Sequence, residues 1–246
     1  VCDAGRDAVA ETIFNNREIN RTGQSLRTYL TVTPIDGLNI TANYSLDNSD
    51  NRRKVYENPW VGDGTAGPAR WNILSTRTLT QTFNQLISYT KSFGNNNIDA
   101  MIGHESYSYK YEYMYSMKVG ETVNGIYDFE NFTSISSLSS YTDEYKKESW
   151  FGRLNYDYAN RYYASFSYRR DGSSRFSKDN RWGNFFSVGA SWRASEEAFL
   201  KDVKWIDNLK LRASWGQTGN DHILNGDGDT DYYPYMTLYG LGYTNG

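Results

Sequence analysis

The chain is poor in most of the groups that carry chemistry. Of its 246 residues, one is cysteine, two are histidine and four are proline. A single cysteine, Cys2, excludes an internal disulfide and reads as an incidental thiol; a lipid-anchor cysteine needs a signal sequence ahead of it, and none is present. His104 and His222 lie far apart with no companion at metal-ligand spacing, so ordinary side-chain polarity is the better reading. Neither a Gly-rich phosphate loop nor a nucleophile elbow occurs, which argues against an enzyme, and no cofactor is implied. No apolar run approaches the ~20 residues of a membrane helix, which excludes helical spanning but leaves strands open. A net charge of -3 and a pI near 5.5 give no reason to expect nucleic acid.

What the chain does have is aromatics. They make up 16% of it, with 22 Tyr, 7 Trp and 11 Phe, at a mean hydropathy of -0.74. Tyr and Trp suit surfaces that are apolar on one side and wet on the other. Their arrangement is clearest between Glu148 and Gly219, where four segments alternate at period two. Trp150, Leu154, Tyr156 and Tyr158 oppose Arg153, Asn155 and Asp157. Tyr162, Ala164, Phe166 and Tyr168 oppose Ser165, Ser167 and Arg169. Phe186, Val188, Ala190 and Trp192 oppose Ser187, Gly189, Ser191 and Arg193, and Leu209, Leu211, Ala213 and Trp215 oppose Lys210, Arg212 and Ser214. The core of a β-sandwich would not accept such charges unpaired. An apolar face with aromatic ends, backed by a charged face, describes the wall of a transmembrane β-barrel.

The same stretch resembles a known family. Tyr168-Arg169-Arg170-Asp171-Gly172-Ser173-Ser174-Arg175-Phe176, Asn180-Arg181-Trp182-Gly183, Ser191-Trp192-Arg193, Ser195-Glu196-Glu197 and the run Leu209–Asn220 are similar to the SusC/RagA family. These are TonB-linked outer-membrane transporters of Bacteroidetes-type bacteria. The resemblance is dense over about seventy residues of motif order; from Gln24 to Lys118 it is one of pattern and turn placement. It implies active uptake of large nutrients, oligosaccharide or peptide, in an outer-membrane lipid setting. It also implies a plug domain, a SusD-like surface lipoprotein as lid, and a TonB complex.

Elsewhere the pattern predicts strands at Gln24–Pro34, Leu38–Leu46 and Ser75–Phe93, another starting at Ile98, and a last one starting at Tyr235–Gly242. Val1–Thr22 reads as a loop or docking segment. The strand from Ile98 changes phase: Ile98, Ala100 and Ile102 share one parity, whereas Tyr107, Tyr109, Tyr111, Tyr113 and Tyr115 take the other. A bulge near Gly103 would restore one face; alternatively the ladder stands above the bilayer. Both remain open at this point.

Connections alternate in length. Ile35–Gly37, Gly94–Asn97, Ala159–Arg161 and Ser195–Asn208 are expected on the periplasmic side, the last with a short helix capped by Ser195. The polar stretches Asp47–Asn72, Val119–Lys146, Asp171–Gly183 and Gln217–Tyr233 are expected outside as long loops. The fold expected is therefore all-β, an antiparallel transmembrane β-barrel in part, with roughly nine strands against the ~22 of plugged transporters. The chain begins at Val1 without Met and stops as a strand develops, so residues 1–246 are expected to be a fragment of the barrel domain, without plug, signal peptide or C-terminal strands.

Site candidates are the aromatics of the long loops, Trp60, Trp71, Tyr127 and Trp182, whose flat rings would stack on sugars or peptide side chains. Loop packing is their plainer role. Asp227, Asp229 and Asp231 alternate like the start of a calcium loop, but Tyr232 and Leu238 stand where Gly and Glu belong, so an EF-hand is excluded and a solvated loop preferred over a looser calcium site. In the Arg-Asp-Gly-Ser-Ser-Arg run, Gly172 is expected to permit a tight turn and Asp171 to pair with Arg175. Two other functions fit less well: a TonB-dependent siderophore or cobalamin receptor, and a soluble β-sandwich carbohydrate-binding module.

Overall fold

Strands that alternate over so many segments need partners on both edges. The structure, a computed structural model, describes residues 8–62, 65, 67–200 and 205–236. A short helix α1 (Ala8–Phe14) precedes eight strands. These are β1 (Asn16–Ile35), β2 (Leu38–Glu57), β3 (Arg70–Phe93), β4 (Asn96–Glu121), β5 (Phe132–Tyr158), β6 (Tyr162–Ser173), β7 (Trp182–Arg193) and β8 (Lys210–Gly216). They form one sheet in sequence order, β1 through β8. Among the described residues all eight strands lie in one sheet, which argues against the β-sandwich alternative. Of the expected ninth strand, Tyr235 and Met236 lie in a turn and the rest falls outside the described residues, as does Cys2. No helix among the described residues is long and apolar enough to cross a membrane.

The short turns form as the sequence requires. Asp36-Gly37 closes β1 onto β2, with Gly37 at φ 84°, where only glycine is at ease. A side chain there would also collide with the Thr90 carbonyl. Ala159 and Asn160, both at φ 54°, make the corresponding turn between β5 and β6.

The long polar stretches are the main departure. Asp47–Asn72 is mostly strand, since β2 runs to Glu57 and β3 starts at Arg70. Likewise β4 runs to Glu121 and β5 starts at Phe132, so little of Val119–Lys146 is loop. β6 and β7 shorten the third loop to 174–181, and β1 begins at Asn16, inside a segment expected to be irregular. About 9–11 tilted residues cross a bilayer, whereas β5 has 27. Strand beyond that span is bathed in water on both faces, so its backbone ladder persists while its side chains lose the apolar period.

The register of β5 to β8 sorts side chains into two faces. Leu154 stands opposite Phe166, Phe166 opposite Val188, and Val188 opposite Trp215. Between such rows lie Arg153, Ser167 and Ser187, and then Asn155, Ser165, Gly189 and Ser214, on the other face. Exposure is inverted relative to a protein dissolved in water. Phe166 is 47% exposed, Val188 46% and Leu211 55%, and no second sheet among the described residues covers them. Hydrocarbon is the solvent that makes such a face stable. Aromatics bound it: Tyr158, Tyr162 and Trp192 at the turn end, Trp150, Tyr168, Phe186 and Trp215 at the other.

Contacts divide the chain into two units. One comprises Val1–Leu26, Leu46–Thr80 and Tyr109–Glu144; the other Arg27–Ser45, Gln81–Ser108 and Tyr145–Gly246. The second contains the wall just described. The first has an ordinary buried core of Tyr56, Ala69, Trp71 and Phe132, with Ile73, Tyr127 and Phe129 packed against it.

Candidate functional site

The inward face of the second unit is built from small and polar residues. Serines and glycines at Ser165, Gly189 and Ser214 keep it flat, and a groove of about 400 Å³ opens there between Asp99, Asn155, Asp157, Tyr163 and Arg212. Arg153 reaches Asp99 at 3.4 Å, and Asn155 donates to the same carboxylate at 3.0 Å. Lys210 sits 3.5 Å above the Tyr163 ring. Asp99 and Arg153 pair across this face, and further charges such as Arg212 stand on it, as an aqueous lumen allows.

The Arg-Asp-Gly-Ser-Ser-Arg run departs from expectation. Asp171 pairs with Arg169, whose Nε lies 2.7 Å from it, not with Arg175. Arg169 also donates to Ser149 at 2.9 Å and covers Phe151. Residues 169 and 171 share a strand face, whereas Arg175 lies past the end of β6. Gly172 makes no turn: it belongs to β6, and the Trp182 ring lies against it, 3.0 Å from where a Cβ would stand. Arg175 is instead buried, stacked between Tyr145 at 4.4 Å and Tyr232 at 5.3 Å, and donates to the Asp221 carbonyl at 2.8 Å. The Tyr145 hydroxyl donates to the Asp221 carboxylate, and Lys147 lies 3.5 Å from it. Burial pushes the Asp221 carboxyl up, but Tyr145 and Lys147 outweigh it and hold it below the usual value. Tyr145 is pushed up to about 12, by burial and then by Asp221. These contacts tie the loop after β8 to β5 and the end of β6.

Ser195 caps nothing. The turn it was expected to start is a 3-10 turn, Ala194–Glu196, without a side-chain cap. Glu197 beyond it accepts from the Tyr162 hydroxyl at 2.5 Å, from the Trp192 indole at 3.0 Å and from Arg161 at 3.2 Å. It fixes two girdle aromatics in place.

The aromatic candidates part company. Trp71 is 4% exposed, and its ring stacks on Tyr127 at 5.7 Å; Tyr127 in turn meets Tyr56 at 4.7 Å. Trp71 and Tyr127 are therefore packing residues rather than the exposed rings expected, because Tyr56 and Phe132 converge on them from other strands. The Tyr56 hydroxyl donates to Glu121 at 2.9 Å, and burial, then that carboxylate, pushes its pKa up. Trp60, by contrast, is 69% exposed. Trp182 shares the parity of Phe186 and Val188, so it lies on the outward face, with Arg170 5.1 Å from its ring.

The tyrosine ladder had no site role in the sequence. In the second unit, Tyr107 packs on Tyr145, which shares the inward parity of Lys147 and Phe151. Gly103 has the same parity, and a Cβ on it would come within 2.6 Å of the Phe151 ring. Tyr107 therefore faces inward on β4, so within the second unit the phase change is a change of face. In the first unit, Tyr113 stacks on Tyr141 at 4.7 Å, and Tyr111 meets the same ring at 6.1 Å. Five tyrosines at spacing two were the available signal.

His104 bridges Gln85 at 2.9 Å and Glu148 at 3.2 Å. His222 lies 3.4 Å from Thr230. Around Asp227, Asp229 and Asp231 the loop is organised by Asn225, whose amide oxygen accepts from the backbone of Asp227 at 3.0 Å and Asp229 at 2.8 Å. Among the described residues, no three His, Cys, Asp or Glu side chains come together as a metal site.

No protein-family model matches the chain. It is 38% identical over 158 residues to the TonB-dependent receptor SusC of Bacteroides thetaiotaomicron, covering 64% of this chain and 15% of that protein. It is 32% identical over 209 residues to the TonB-dependent receptor P3 of Formosa agariphila, covering 83% of this chain and 20% of that one. Its fold superposes on the RagAB peptide importer in the closed-closed state with a TM-score of 0.83 at 24% identity, over 95% of this chain and 26% of that one. Across the curated relatives, the chain spans 13% to 22% of their length. An all-β wall with an apolar outer face, joined to curated relatives named as TonB-dependent receptors, defines part of the β-barrel of an outer-membrane receptor of that class. The chain belongs to the SusC/RagA family.

Proposed function

We propose that this chain is wall from a receptor that imports large nutrients across the outer membrane. Energy would come from a TonB complex, and a SusD-like surface lipoprotein would serve as lid. One observation carries the reading: Phe166, Val188 and Leu211 are exposed on one face, while the other face presents hydroxyls, amides and paired charges. A wall of this kind separates lipid from a water-filled path. The RagAB importer's name supports peptide as cargo; oligosaccharide stands beside it as what the family resemblance implies. Residues 1–246 would be barrel throughout, with the plug elsewhere in the receptor.

Trp60 and the Tyr113–Tyr141 stack are the cargo contacts this reading favours, being aromatic and uncommitted to the buried core. Trp71 and Tyr127 would act by shaping the loop that bears Trp60. The test is uptake by cells whose only copy of the full-length receptor is tagged. Growth on an oligosaccharide or peptide mixture should require the receptor and TonB, and a surface lipoprotein should co-purify. Receptor-dependent growth only under iron or cobalamin limitation, with no lipoprotein partner, would replace this reading with the siderophore or cobalamin one.

A further inference from the structure

Two cavities open on the outward face of the second unit. The lower lies over Gly152 and measures about 430 Å³, lined chiefly by Ile87, Ile102, Trp150 and Tyr168. A Cβ at Gly152 would meet only the Met101 carbonyl at 3.4 Å and an Ile102 methyl at 3.6 Å, so the slot is open. The upper lies over Gly172, measures about 460 Å³, and is polar: Ser106, Ser108, Lys146, Glu148, Arg181 and Trp182 line it. Both open on the side that carries Phe166 and Val188, because Trp150, Gly152 and Tyr168 at the lower one and Glu148, Gly172 and Trp182 at the upper one share that parity.

The charge around the upper cavity is unbalanced. Glu148 is engaged by His104 at 3.2 Å. Arg170 lies over Trp182, and among the described residues no carboxylate pairs with Arg170 or Arg181. The Nε of Arg181 is buried and lacks a hydrogen-bond partner. An apolar slot bounded by girdle aromatics, with free guanidiniums on the side away from the short turns, has the polarity of an amphiphile with an anionic head. Glu148 and Gly152 are four residues apart on β5, or about 13 Å at the strand rise. That separation suits a headgroup above and an acyl chain below. Guanidinium forks match phosphate oxygens in pairs, and interfacial basic clusters hold phosphorylated headgroups.

We infer that this face binds one membrane lipid with a phosphorylated headgroup, phosphate against Arg170 and Arg181 and an acyl chain in the slot over Gly152. The inference rests on the barrel reading, because it needs hydrocarbon on this side.

The test is native mass spectrometry of the full-length receptor, delipidated in mild detergent and titrated with diphosphorylated lipid A or with lipid A lacking both phosphates. Wild type should retain the phosphorylated glycolipid at about tenfold lower concentration, a difference of ~1.4 kcal/mol. Arg170→Gln with Arg181→Gln should abolish the preference, while Gly152→Leu should weaken retention of both lipids. Millimolar inorganic phosphate should not displace the bound lipid. Equal retention of the two lipids by wild type, or a preference that survives both sets of variants, overturns the inference. Displacement by phosphate points to a soluble-anion site, and a dimer lost in Gly152→Leu points to a second copy; either also overturns it. Flotation of each variant with outer membranes keeps the two readings apart. A receptor that floats without lipid preference loses only the lipid site, whereas a wild type that fails to float loses the barrel.

Discussion

Tyr56 and Phe166 solve opposite problems with the same kind of side chain. Tyr56, in the first unit, is 1% exposed, packed with Trp71 and Phe132, and its hydroxyl satisfied by Glu121. Phe166, in the second, leaves nearly half its surface uncovered, and so do its row neighbours. The difference is solvent. Where water bathes both faces of a strand, aromatics gather into a core; where hydrocarbon bathes one, they turn outward and polar groups turn in.

The comparison can be broken first at its packed side. Trp71→Ala leaves a cavity beneath Tyr127 and should cost about 3–5 kcal/mol locally. Limited proteolysis should then cut within 122–131, while the receptor still reaches the outer membrane. A receptor lost from the membrane instead would mean that this core and the wall are not separable. Next, Val188→Lys on the apolar face should cost about 2–4 kcal/mol if it lies near the bilayer midplane. Its neighbour Ser187→Lys, on the wet face, should cost far less. Heat-modified mobility in gels, which follows barrel folding, should separate the two substitutions.

A smaller effect is expected where the loop after β8 is tied down. Arg175→Gln removes a buried cation stacked between two tyrosine rings, worth about 1–2 kcal/mol. Hydrogen exchange should rise in 217–233 and leave β7 unchanged. The smallest effect is on acidification. The Asp221 pKa is lowered in the folded protein, so its contribution is complete above the unfolded carboxylate pKa and is lost as pH falls through the folded value. Exchange in 217–233 should therefore quicken in acid, and Asp221→Asn should remove that pH dependence.

The same contrast decides what could be read in advance. β5 to β8 were legible because hydrocarbon demands an apolar residue at every second position, so Leu154, Phe166, Val188 and Leu211 announce their face. The water-bathed ends of β2 to β5 were not, since Arg52, Lys54, Glu112 and Asp143 can stand on either face of a strand wet on both sides. Trp71 and Tyr127 looked free because they sit among polar residues; their partners, Tyr56 and Phe132, are distant in sequence. The Asp171–Arg175 pairing failed for a local reason, the length of β6. Strand continuation to Ser173 puts Asp171 beside Arg169 and sends Arg175 on to Asp221.

Spin-label accessibility along β7 tests the central claim most directly. With Cys2→Ser as background, nitroxides would be placed singly from Phe185 to Trp192 in the full-length receptor, reconstituted in lipid. Labels at Phe186, Val188 and Ala190 should collide freely with oxygen and be shielded from a water-soluble nickel chelate. Labels at Ser187, Gly189 and Ser191 should show the reverse. A profile without period two, or one in which Val188 is screened from both reagents, would contradict the account.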